Sequence, residues 1–390
     1  MNFKFLFCRK LLLPFLAVLV LYSCKNQENQ IRVNPMDYVL NSENSKIKNV
    51  LDSVAQFEVQ IRYTHIDRKD DTVYFTDYDF QVDSLNYFYP ASTVKFPATV
   101  ATLEKLKEND SINRNTRFYI EGDSVETTFT KAITEIFAVS NNSANNRLIE
   151  FLGQDDLNKR MRNRGIAPIR IAHRLGFDYD DTATRPLVIY LNDSTTANYT
   201  GTINATPKPL NINRIQKGIG FYEEDSLMHE PFNFKLKNYY PIQTQHALLK
   251  RIIFPEKFAR EQRFNLSQEQ RDFLLTAMSK TPRQAGYDSD SFYDGYNKFF
   301  MFGDTKENIP EHIKIYNKIG GAYGTLTDSA YIIDSKNKVE FMLTATILVN
   351  KNGIFNDDDY EYETIGIPFL AELGRQFYSY ELTHKENSKQ

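Results

Sequence analysis

The chain has 390 residues, 41% hydrophobic and 25% charged, a globular composition with enough apolar material for a sizeable core. A formal charge of −3 argues against a dedicated binder of nucleic acid or other polyanions. Its two cysteines, Cys8 and Cys24, both lie near the N-terminus; the later residues therefore offer no thiol nucleophile, and no metal, nucleotide or haem motif is evident, so no cofactor is expected.

Lys4, Arg9 and Lys10 precede the apolar run Leu11 to Leu21, which is too short to span a bilayer comfortably and reads as a processing signal. The run ends in Leu21-Tyr22-Ser23-Cys24, which resembles the lipobox of bacterial lipoproteins. That resemblance implies removal of residues 1–23, a lipid on Cys24, and a protein held to a bacterial membrane on its non-cytoplasmic side, in the cell envelope. A plain secretory signal or an uncleaved anchor is the alternative, and each version puts the folded part outside the cytoplasm. Residues 24–48, polar from Lys25 to Asn34, are expected to be a tether, and residues 49–385 the domain.

Gln56 to His65 and Thr72 to Phe80 are rich in β-branched and aromatic residues and predict a hairpin. Helical patterns follow at Ser92 to Lys107, Thr130 to Leu152, Thr244 to Ile253 and Ser267 to Met278. Residues from about 178 to 240 fit neither pattern and read as an insertion, with Leu187 to Leu191 and Tyr199 to Ile203 as an exposed hairpin. His312 to Lys318, Ser329 to Asp334 and Val339 to Asn350 predict strands, and Glu361 to Leu382 a closing helix. Strands at both ends around helices imply an α+β fold: an antiparallel sheet from N- and C-terminal strands, helices on both faces, and a helical subdomain beside a cleft.

Three short motifs carry chemistry. In Ser92-Thr93-Val94-Lys95 a serine opens a helix and a lysine lies on the same face one turn later, so a desolvated amine can take the hydroxyl proton. A helix cap with a solvated lysine is the alternative, and Ser45 to Lys48 and Ser335 to Lys338 share the spacing. Ser140-Asn141-Asn142 places a hydroxyl and an amide two residues apart, one able to relay a proton and the other to hold a carbonyl, although capping residues have the same pattern. Lys318-Ile319-Gly320-Gly321 ends a predicted strand, with a fixed charge and glycines that permit close backbone approach.

In this order the three motifs resemble the active-site set of class A β-lactamases and penicillin-binding proteins, and Gly320 to Thr325 with Asp328 extends the likeness. The resemblance covers roughly Gln56 to Leu382 apart from the insertion. It implies Ser92 as nucleophile, Lys95 as base, Ser140 as proton relay and Asn142 as a substrate-positioning amide, with Lys318, Gly320 and Gly321 binding substrate. The backbone N–H groups of Ser92 and Gly321 would form an oxyanion hole.

Two departures bear on the substrate. Ile319 stands where the family usually has a hydroxyl that helps to bind a carboxylate, and the Glu-x-x-Leu-Asn loop of class A enzymes is missing. Arg170 to Gly176 stands about where that loop belongs, with His173 as either a substitute base or a structural residue. The expected function is a serine hydrolase that opens an amide, a β-lactam or a peptidoglycan-like one, through an acyl-serine. A D-Ala-D-Ala-type peptidase, another envelope amidase or esterase, and a non-catalytic lipoprotein that binds wall fragments remain as alternatives.

Overall fold

The computed structural model describes Met1, residues 34–70 and residues 72–387, and the compact unit described below begins at Asn34. The processing segment, the Cys24 lipidation site and residues 24–33 of the expected tether lie outside the described residues.

Among the described residues five strands form the main sheet: β1 (Gln60–Lys69), β2 (Thr72–Phe80), β3 (Ile313–Ala322), β4 (Thr325–Asp334) and β5 (Val339–Leu348). Their order is β3-β4-β5-β1-β2, each pair antiparallel, so β1 from the N-terminal end pairs with β5 from the C-terminal end. Period-two alternation divides the side chains of β5 between two cores. Phe341, Leu343, Ala345 and Ile347 enter one, and Met342 enters the other.

Among the described residues, six helices of eleven or more residues complete the layers: α1 (Lys95–Lys107), α2 (Phe129–Val139), α3 (Asn142–Leu152), α4 (Ile242–Ile253), α5 (Gln268–Ser279) and α6 (Ile367–Asn387). Phe369, Leu370, Leu373 and Phe377 recur near helical spacing, and α6 buries that stripe on one face of the sheet. Phe377 stacks on Tyr63 of β1 with ring centroids 4.3 Å apart. Truncating such a buried ring to alanine costs about 3–5 kcal/mol. On the opposite face, His246 of α4 is hydrogen-bonded to Thr64 Oγ1 at 2.7 Å and Thr344 Oγ1 at 2.9 Å. The α+β architecture with helices on both faces is thus present.

Three boundaries differ from expectation for local reasons. Residues 34–48 are not tether: Pro35–Leu40 and Ser45–Leu51 are helices that bury Met36, Val39, Ile47 and Val50 and pack against α6. The helix expected over Thr130 to Leu152 is broken, because Ser140 takes a left-handed conformation (φ +55°) and Asn141 caps α3 by accepting from Ala144 N at 2.9 Å. The hairpin of the insertion pairs Leu187–Tyr190 with Thr196–Tyr199, placing Tyr199 in register with Leu187 and leaving Ile203 beyond the strand.

The insertion also supports the approach to the turn that bears the first motif. Phe234 is buried between Tyr87 and Tyr89, at ring distances of 5.4 and 6.0 Å, and Tyr89 meets Tyr323 edge-on at 4.8 Å. These aromatic pairs fix the strand-like segment that delivers the chain to Ser92.

Candidate active site

Ala91–Val94 is a single 3₁₀ turn that runs directly into α1, and Thr93 ties it by donating through N and Oγ1 to Pro90 O at 3.1 and 2.6 Å. Ala91 has φ +46°, a left-handed conformation that a residue with a Cβ adopts at a cost of about 1–3 kcal/mol. The turn presents Ser92 to a cleft of about 320 Å³, half-buried, with no hydrogen-bond partner for its Oγ among the described residues.

Lys95, in the first turn of α1, is fully buried. Its Nζ donates to Ser140 O and to Asn142 Oδ1 at 2.7 Å, and lies 3.2 Å from Ser140 Oγ. The amine is thus held by the second motif and is not hydrogen-bonded to Ser92. Burial lowers its pKa to about 5, with the nearby charge of Lys318 adding to the effect, so the amine is neutral at physiological pH. A neutral amine keeps a lone pair, which a base requires.

The third motif reaches the same place from the far end of the chain. Lys318 on β3 donates from Nζ to Ser140 Oγ at 2.8 Å and to Ile319 O at 2.8 Å. One hydroxyl therefore connects the two lysines. Burial lowers Lys318 to about 7; Asp328 opposes the shift and Lys298 adds to it. Gly320 makes the approach possible, because a Cβ there would lie 2.7 Å from Pro90 O and 3.0 Å from Thr93 N. A Cβ on Gly321, which lines the cleft with Ser92, would come within 3.0 Å of Leu326 Cδ2.

The structure brings the seven expected residues together, but Lys95 is bonded to Ser140 and Asn142 and not to Ser92, and Asn142 gives its side-chain oxygen to Lys95. Beneath them lies a buried polar network that the motifs did not reveal. Lys298 donates to Asn317 Oδ1 at 2.6 Å, and Asn317 donates to Asp328 Oδ1 at 2.9 Å. Burial raises the Asp328 carboxyl, and hydrogen bonds from Asn317 and Phe300 N pull it back. Tyr293, Tyr296, Tyr362 and Glu363, which line the cleft, were also missed. Of these groups only Asp328 had a sequence signal, its place in the extended third motif.

His173 is not free to act as a base. The ring is buried; Nδ1 pairs with Arg174 O at 2.7 Å and Nε2 accepts from Asn238 N at 3.3 Å, which defines one tautomer. Burial lowers its pKa to about 4. Around it Asn158 bonds both the N–H and the C=O of Ile171 at 2.8 Å, and Asn146 bonds Leu175 N and O at 3.0 and 2.8 Å. The segment from Arg170 to Gly176 is a pinned support.

A serine left unbonded beside a buried lysine of lowered pKa offers the group types that a serine hydrolase uses as nucleophile and base. Residues 43–380 match the Beta-lactamase enzyme family, and the chain belongs to it. No curated protein matches the sequence. Among solved structures, L2 in complex with relebactam is 12% identical with a TM-score of 0.50, covering 88% of this chain and 98% of that one. A class A β-lactamase from Bacteroides cellulosilyticus is 14% identical with a TM-score of 0.49, covering 87% and 98%. PBP-A is 14% identical with a TM-score of 0.48, covering 89% and 97%. The protein is a β-lactamase-like serine hydrolase with the fold of that family.

Proposed function

We propose that this hydrolase opens a β-lactam or related amide through an acyl-Ser92 intermediate. Ser92 Oγ attacks the carbonyl carbon as its proton passes to Lys95 Nζ, and the oxygen that gains charge is met by the N–H groups of Ser92 and Gly321. Collapse breaks the C–N bond, and the proton moves from Lys95 through Ser140 Oγ to the departing nitrogen. Lys95 is then neutral again and activates the water that hydrolyses the ester, since His173 is committed on both nitrogens. Asn142 and Lys318 hold Lys95 and Ser140 in register.

The observation that carries this reading is the Ser140 hydroxyl shared between two buried amines, 3.2 Å from Lys95 and 2.8 Å from Lys318. Intact-protein mass spectrometry during exposure to benzylpenicillin tests it: a drug-mass adduct forms, resides on Ser92, and decays with release of opened drug. Ser92→Ala abolishes the adduct, and an adduct that survives this substitution overturns the assignment.

We also propose that the protein is a lipoprotein of the cell envelope, anchored through Cys24 after loss of residues 1–23. The lipobox-like Leu21-Tyr22-Ser23-Cys24 after a short apolar run supports this, and such an anchor would hold the hydrolase where β-lactams meet the cell. Labelled fatty acid is expected to enter the expressed protein and to be lost in Cys24→Ala; equal labelling of both would remove the anchor.

A further inference from the structure

Among the described residues, the outer part of the cleft has no partner for a negative charge. Beside Ser92 its wall is formed by Ile319, Tyr293, Tyr296, Phe299 and Tyr362, and among the described residues the only formally charged side chain lining it is Glu363. Glu363 is exposed and near enough to Tyr293 to raise that phenol, whose burial is the larger cause of the shift. Lys318 offers little to an outside anion: it is 3% exposed, and two of its three protons are already given to Ser140 Oγ and Ile319 O. Lys95 is fully buried, and its amine is held by Ser140 and Asn142.

A carboxylate drawn into this space would lose its water, meet an isoleucine and aromatic faces, and feel the repulsion of Glu363. Losing hydration without a compensating partner is costly for a charge and favourable for an apolar group. Aromatic faces additionally attract cations. On the basis of the acyl-Ser92 reading, we infer that the substrate carries no carboxylate on the part lying along Ile319, and that this part is an uncharged or cationic amide or ester bearing apolar groups. Ile319 and Glu363 are the specificity-determining residues.

The test compares acylation of the full chain by benzylpenicillin and by its methyl ester, with each rate corrected for the compound's own hydrolysis. The ester is expected to acylate Ser92 about tenfold or more faster than the free acid, one factor of ten corresponding to about 1.4 kcal/mol. Glu363→Gln and Ile319→Thr each narrow that ratio by favouring the acid. A free acid faster than the ester, with the ratio unmoved by Glu363→Gln, overturns this inference and leaves the acyl-serine reading intact. No adduct from either compound overturns both.

Discussion

Two buried polar regions of the molecule are built on opposite terms. In the segment from Arg170 to Gly176, His173 has a partner on each ring nitrogen, and Asn146, Asn158 and Asn238 pin the backbone from several sides. Where the three motifs meet, two buried lysines share one hydroxyl and the neighbouring Ser92 Oγ is bonded to nothing among the described residues. Satisfied polar groups hold a shape, whereas a buried amine held neutral beside a second lysine, and a hydroxyl without a partner, are open to reaction. The difference separates support from catalysis more sharply than residue type does, since histidine is the commoner base of the two.

Substitutions on each side test this contrast. Lys95→Met keeps the length of the side chain and removes the base, so acylation by a β-lactam should fall by about 10²- to 10⁴-fold in stopped-flow measurement. A loss below tenfold would place the base elsewhere. Next in size is the pH profile of kcat/KM. In the proposed reaction Lys95 works when neutral, so the rate should rise as pH climbs through about 5, and Lys318 works when charged, so the rate should fall above about 7. Replacing Lys318 by methionine should remove the upper limb from the residual activity. It should also move the lower limb to higher pH, because the Lys318 charge is one of the two causes that depress Lys95.

The smallest effect on rate belongs to the support. His173→Gln should leave acylation within about threefold while costing about 1–3 kcal/mol in thermal or denaturant unfolding, since the Arg174 and Asn238 backbone groups lose a fitted partner. The folded pKa of His173 lies below its ordinary value, so the unfolded chain binds the extra proton between roughly 4 and 6.5. Its share of stability is therefore full above that window and is lost as pH falls through it, and the variant should show a shallower acid slope. A tenfold rate loss without loss of stability would make His173 part of the chemistry.

Much of the fold could be read from local pattern. The β1–β2 hairpin, the two C-terminal strand pairs and the helix behind them follow alternation and helical spacing, which tertiary packing preserves. The boundaries moved where a single residue decides. The paired apolar residues Met36 and Val39, and Ile47 and Val50, are each three apart, yet their helices are too short to stand out from a polar stretch. Ser140 reads as helix interior by periodicity, and only its left-handed backbone reveals the break. Ser92, Lys95, Ser140 and Lys318 were found because their chemistry is local or ordered along the chain. Tyr293, Tyr296, Tyr362 and Glu363 were not, since they arrive from loops and a helix entrance whose placement depends on the completed sheet.

The bare backbone of Gly320 against Pro90 has a temporal meaning as well as a steric one. A nascent chain holds Ser92 long before it holds residue 320, and β1 has no inner neighbour until β5 exists. The early part of the polypeptide carries Ser92, Lys95 and Ser140, but Lys318 and the Gly321 N–H of the proposed reaction arrive only when β3 is laid against Pro90. The cleft is therefore completed last, and acylation of Ser92 by a β-lactam should follow the closing of the sheet.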